Sequence, residues 1–108
     1  MREQVLMRES DIEKYLVHCV KRMGGEVRKV SWIGRRGAPD RFVMLPLRED
    51  FLPGSVFPAM SIWVELKAPS KKAEPHQLRE HERMRKLGQH VVVIDSFEGV
   101  DALMRGDL

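Results

Sequence analysis

The sequence predicts an α/β protein in which helices flank a small mixed β-sheet, in the order αβββαβα. Three observations carry that prediction. Apolar residues recur with helical spacing between Ile12 and Met23. The run Ser61-Ile62-Trp63-Val64-Glu65-Leu66-Lys67 alternates as a strand does, and Val91 to Ile94 is a short, wholly apolar segment bounded by turn formers.

The first helix is read from Ser10-Asp11-Ile12-Glu13, a capping box with Ser10 at the cap and Glu13 reaching back. Ile12, Leu16, Cys19, Val20 and Met23 form its buried stripe, and Gly24-Gly25 ends it. Val27 to Trp32 alternates as a short strand. Ile33 to Pro39 is a loop, because two glycines and a proline break regular structure. Asp40 to Leu45 is a second strand, stopped by Pro46. Arg48 to Ala59 carries Pro53-Gly54 and Pro58 and reads as a turn or loop. Ser61 to Lys67 is the third strand, closed by Pro69. Ala68 to Pro75 is an exposed connector, and Pro75 opens a helix from about His76 to Leu87, ended by Gly88. The apolar Val91–Ile94 strand is expected at the centre of the sheet, covered on both faces. Ser96 caps a last helix running through Met104.

A chain of 108 residues, 43% hydrophobic and 32% charged, matches one globular domain over residues 1–108. No apolar stretch reaches the length of a membrane span, and the first residues lack a leader's apolar core. A lone Cys19 excludes a disulfide framework or a thiolate zinc site and suits a reducing cytoplasm. The formal charge is only +3, but basic residues flank the acidic motifs: Arg35-Arg36 before Asp40, Lys71-Lys72 after Lys67, and Arg79, Arg83, Arg85 and Lys86 beyond. That arrangement favours a nucleic-acid partner, although scattered surface Lys and Arg are commonly just solvated.

Alternation along Ser61–Lys67 puts Ile62, Val64 and Leu66 on one face and Trp63, Glu65 and Lys67 on the other. A carboxylate and an ammonium thus share a face with an aromatic that suggests partial cover. Asp40, entering a neighbouring strand after Pro39, could bring a second carboxylate to the same edge. Two carboxylates can hold a hard divalent cation, and a nearby Lys can steer water or neutralise a phosphate. Each motif also has an ordinary reading: Asp40 as a loop-to-strand junction, Glu65 and Lys67 as a solvated pair. Their joint occurrence at these positions in an α-β-β-β-α order favours phosphodiester chemistry.

Gly37-Ala38-Pro39-Asp40, then Val64-Glu65-Leu66-Lys67, then Gln77 at the start of a helix, resemble the VRR-NUC family of PD-(D/E)XK nucleases, in its small standalone phage and bacterial form. Glu9-x-x-Ile12, the Gly24-Gly25 helix end, Lys67-Ala68-Pro69 and Gly88-x-x-Val91-Val92-Val93 extend the likeness from about Met7 to Gly99. The resemblance implies a restriction-endonuclease-like core and a Mg²⁺- or Mn²⁺-dependent endonuclease of branched DNA such as four-way junctions. It also implies a homodimer working in the cytoplasm of a bacterial or phage-infected cell, and products bearing 5′-phosphate and 3′-hydroxyl ends. Asp40, Glu65 and the Leu66 carbonyl would be metal ligands, and Lys67 would position or activate water. Glu9 would complete the catalytic set, with Glu13 the competing candidate one helical turn later. Gln77 would bond phosphate or an active-site carboxylate, and is otherwise a surface helix residue.

Arg35, Arg36 and Gly37 are candidates for phosphate contact, since Gly34 and Gly37 let the backbone approach closely. Lys71, Lys72 and Arg79 are further contacts or plain solvated charges. His76 and His81 lack the i, i+4 spacing of a helical zinc pair, so the histidines read as surface or partly buried. Apolar residues from Phe51 to Phe57, with Val56 and Met60, are candidates for a dimer seam. A non-catalytic nucleic-acid-binding module of the same fold and a flap or duplex nuclease are the alternatives.

Overall fold

A computed structural model of the chain describes residues 7–49 and 56–108. The elements are α1 (Glu9–Arg22), β1 (Glu26–Lys29), β2 (Arg41–Leu45), β3 (Arg48–Glu49), β4 (Val56–Phe57), β5 (Met60–Leu66), α2 (Pro75–Lys86), β6 (His90–Ile94) and α3 (Phe97–Met104). The principal sheet runs β1-β2-β5-β6. Its first two pairings are antiparallel and β5–β6 is parallel, so the sheet is mixed, as the sequence predicts. The parallel step needs a crossover, and α2 supplies it. No helix among the described residues is long and apolar enough to cross a membrane.

The core lies between the sheet and the α1/α3 pair. Ile12, Leu16 and Val20 from α1 meet Val43, Leu45, Ile62, Val64, Leu66, Val92 and Ile94 from the strands and Val100 and Leu103 from α3. The predicted split of the β5 faces holds: its even-numbered residues are core, and Trp63 and Glu65 face the other way. Gly25 lets the chain pass from α1 into the sheet. A side chain there would meet the Met44 carbonyl at 2.2 Å, far inside van der Waals contact.

Four expectations need correction. The α1 cap is Arg8, whose backbone N–H donates to the Asp11 carboxylate at 2.8 Å. Ser10 therefore lies inside the helix, and Glu13 is released to bind Arg41 instead. The first strand ends at Lys29 rather than Trp32, because Trp32 turns to donate its indole N–H to the Pro39 carbonyl at 2.8 Å. The Arg48–Ala59 loop contains a two-stranded ladder pairing Arg48 with Phe57 and Glu49 with Val56. The Arg48 guanidinium lies 4.6 Å from the Phe57 ring centroid and donates to the Met104 carbonyl, tying this ladder to the end of α3. Finally, β6 is an edge strand. Its apolar run reports cover on both faces, which helices supply, and carries no information on lateral position. Within the Phe51–Phe57 seam, residues 51–55 lie outside the described residues; Val56 is exposed and Met60 half-buried.

Candidate active site

The β2–β5 ladder pairs Arg41 with Val64 and Phe42 with Trp63. One step further along this register, Asp40 faces Glu65. Residues directly opposite in an antiparallel pair project to the same side. The two acids therefore share the sheet face that carries Phe42 and Trp63, the face on which α2 packs. Lys67 follows two residues after Glu65, just past the strand end, where its backbone N–H donates to the Ile94 carbonyl at 3.0 Å.

Arg41 lies on the opposite face and is 7% exposed. Its guanidinium reaches Glu13 at 3.1 Å and Asp40 at 2.9 Å. It thereby ties α1 to the entrance of β2 and fixes the Asp40 carboxylate from behind. A buried cation with no acid beside it would be costly, and the two bonds to Glu13 are what chiefly make Arg41 tolerable among Val43 and Leu45.

Glu65 is the most perturbed acid of this cluster. It is 8% exposed, and its carboxyl is pushed up to about 7. Burial is the main cause; Asp40 and Glu9 add to it, while Lys67 and Arg41 oppose it. Those four neighbours are the electrostatic outline of the site. Glu9 at the first position of α1 is thus felt at Glu65, whereas Glu13 is committed to Arg41. On the α2 side, His81 is completely buried with its Nε2 3.4 Å from the Glu65 carboxylate. Both ring nitrogens and Oε1 of Glu65 lack a hydrogen-bond partner, and burial pulls the imidazole below its usual range. The expectation of a surface or partly buried His81 is corrected: this polar helix buries His81 against Glu65 of the sheet and Glu80 between Arg35 of the loop before β2 and Arg83 of α2 itself.

The other predicted residues are distributed around this cluster. Gln77 accepts the Glu74 N–H at 2.8 Å and so closes the first turn of α2. Gly37 adopts φ +86° and packs against that same turn. Arg35 bonds Glu80 at 2.6 Å, and Arg83 bonds the other Glu80 oxygen at 2.9 Å. The two cations, Arg35 first, hold this buried acid below the usual carboxylate range. Arg36, Lys71, Lys72 and Arg79 are exposed and form no ion pair among the described residues.

Oxygen donors dominate the cluster, one carboxylate oxygen is buried without a donor, and two other acids raise its affinity for positive charge. That set suits a hard divalent cation. Among the described residues, no three His, Cys, Asp or Glu side chains already converge as a cation cage. Asp40, Glu65 and the Leu66 carbonyl are the oxygen groups that could hold such an ion together with water.

No protein-family model matches the chain. A curated relative from Acyrthosiphon pisum secondary endosymbiont phage 1, named "Putative nuclease p44", is 47% identical over 91 residues, spanning 84% of this chain and 86% of the relative. A solved structure described as a VRR_NUC domain is 42% identical, with a TM-score of 0.70 over 90% of this chain and 94% of that one. The chain belongs to the VRR-NUC family of nucleases.

Sequence reading of this VRR-NUC protein missed Arg41, Glu80 and His81. Only Arg41 left a signal: a charge at an inward position of an otherwise apolar strand. Gly37 has a sharper role than loop flexibility. A Cβ there would lie 2.9 Å from the His76 carbonyl oxygen at a φ that side chains rarely adopt. Gly37→Ala is expected to cost about 1–3 kcal/mol by thermal or chemical denaturation. Wild-type stability in that variant would show that the Gly37 loop need not rest on α2.

Proposed function

We propose that this nuclease is a divalent-metal-dependent endonuclease of DNA that works as a homodimer on branched substrates such as four-way junctions. One observation carries the reading: the buried, underbonded Glu65 carboxyl, raised to about 7, in the field of Asp40, Glu9 and Lys67. The charged form of an acid in that condition is favoured by a cation bound beside it. Asp40, Glu65 and the Leu66 carbonyl would hold Mg²⁺ or Mn²⁺. Such an ion supplies Lewis acidity at the scissile phosphate and acidifies the attacking water.

The protein's own groups do the rest. The Lys67 ammonium stands beside Glu65 and offsets phosphate charge or orients the water for in-line attack. Arg41 keeps Asp40 in place through its 2.9 Å contact. Glu9 adds a third negative group at the rim, and Gln77 fixes the turn on which the Gly37 loop rests. Exposed Arg36, Lys71, Lys72 and Arg79 suit the phosphate contacts that fix a duplex arm without reading its bases. Symmetric cuts across a junction need two sites, which a two-fold dimer provides. The single thiol fits a cytoplasmic setting.

The test is a panel of labelled single strand, duplex, flap and four-way junction, each incubated with Mg²⁺ and with Mn²⁺. Paired nicks in the junction, faster than in duplex, are expected. Light scattering should give a mass twice that of one chain. Equal rates on duplex and junction would remove the branch preference, and no cleavage with either ion would leave a binding module.

A further inference from the structure

We infer that Trp32, Trp63 and the guanidiniums of Arg35 and Arg83 form a subsite for one unpaired nucleobase and its phosphate, beside the cleavage centre. The inference rests on the nuclease reading for the identity of the ligand as nucleic acid. Its geometry stands apart from the metal cluster.

Trp32 and Trp63 lie with ring centroids 5.0 Å apart at 50°, and Phe42 backs Trp63 at 4.5 Å. Both indoles are oriented by hydrogen bonds. Trp32 donates to the carbonyl of Pro39, the residue before Asp40, and Trp63 donates to Gln89 at 3.3 Å. Rings fixed in this way lose little freedom on accepting a stacking partner. Trp32 remains 37% exposed although its N–H is satisfied. Trp63 stands on the same strand face as Glu65, two residues before it, which is roughly 7 Å along a strand. A base on this platform would therefore sit about one nucleotide from the proposed scissile phosphate.

The groove holds about 280 Å³ and is lined by Trp32, Trp63, Arg35, Arg83, Leu87 and Gln89, with Glu80 beneath. That is just below the ~300–1,000 Å³ of sites for drug-sized ligands, so it suits one planar base rather than a duplex arm. Charge completes the match. Glu80 is 2% exposed and grips each arginine through Nε, one per carboxylate oxygen. Two half-exposed cations on one buried anion leave a net positive rim of fixed geometry, suited to a phosphate. Aromatic stacking beside arginine is how sequence-tolerant single-strand sites are built. Here it would favour DNA in which a base is free to leave its stack, as at a junction or flap.

The chain contains two tryptophans, both in this groove, so tryptophan fluorescence excited at the red edge, where Tyr15 does not absorb, reports on it alone. The full-length protein is titrated in EDTA and low salt with a thymidine oligonucleotide and with an abasic oligomer of equal length. Affinities come from the anisotropy of a labelled strand. The base-bearing strand should quench the tryptophans and bind roughly tenfold more tightly, the scale of one stacked base. Trp32→Ala should abolish that preference while leaving abasic affinity unchanged, and Trp32→Phe should retain most of it. Equal affinity for the two strands in the wild type would overturn the subsite, as would failure to bind the base-bearing strand. Base preference without cleavage in Mg²⁺ or Mn²⁺ would overturn the nuclease reading alone. Junction cleavage without base preference would overturn the subsite alone.

Discussion

Asp40→Asn is expected to reduce junction cleavage by roughly 10²–10³-fold or more, the scale on which removing one preorganised electrostatic contact acts. The amide keeps the shape of the carboxylate and removes its charge. Asp40 is well exposed on its outer side, and Arg41 keeps its two hydrogen bonds to Glu13, so folding should lose no more than about 1 kcal/mol. Activity and stability are thereby separated. Lys67→Ala should give a comparable loss for a different reason, since it takes a positive charge away from Glu65 and from any phosphate beside it. Binding of a junction in EDTA should survive both changes. Wild-type cleavage by Asp40→Asn would move the chemistry away from this corner of the sheet.

The sequence was legible wherever a period or a breaker set the local structure. The Ile12–Val20 stripe, the alternation of β5, Pro75 at the head of α2 and the Ser96 cap, whose hydroxyl accepts the Gly99 N–H at 2.9 Å, all lie where the pattern puts them. What it could not convey was lateral order. Val91–Ile94 reads alike in a central strand and in an edge strand covered by helices. Within the candidate site, alternation and the Pro39-Asp40 junction suffice to bring Asp40 and Glu65 to one face. The supporting groups were hidden because each depends on a long-range partner. Arg41 becomes explicable only with Glu13 in place, Glu80 only with Arg35, and His81 only once α2 lies over Glu65. A polar residue buried against a distant opposite charge leaves no periodic trace. Glu13 illustrates the cost: an ordinary capping-box spacing concealed an ion pair across the fold.

Glu65 should subtract stability from the metal-free protein as pH rises from about 4.5 to about 7. A carboxyl raised to about 7 in the fold from its usual 4.5 retains its proton there while the unfolded chain has released it. The native state then binds more protons, so unfolding free energy falls with increasing pH across this window. Below it both states are protonated and there is no penalty; above it the penalty is complete, about 3 kcal/mol for a shift of this size. His81 works in the opposite sense. Its imidazole is lowered by burial, so acidification below its usual 6.5 favours the unfolded chain, which can take the proton. The wild-type profile is therefore a difference of two slopes, and Glu65→Gln separates them. Urea denaturation at pH 5 and pH 8 should show the variant gaining about 2–3 kcal/mol on the wild type at the higher pH. Asp40→Asn should lower the titration point of the Glu65 carboxyl, since Asp40 raises it, and Lys67→Ala should raise it further. Millimolar Mg²⁺ or Mn²⁺ at pH 8 should recover stability in the wild type and not in Glu65→Gln, because a cation that binds only the folded site shifts the equilibrium toward it. Identical pH profiles for the wild type and Glu65→Gln would mean that this carboxyl is solvated like any other, and the case for a cation at Glu65 would fall with it.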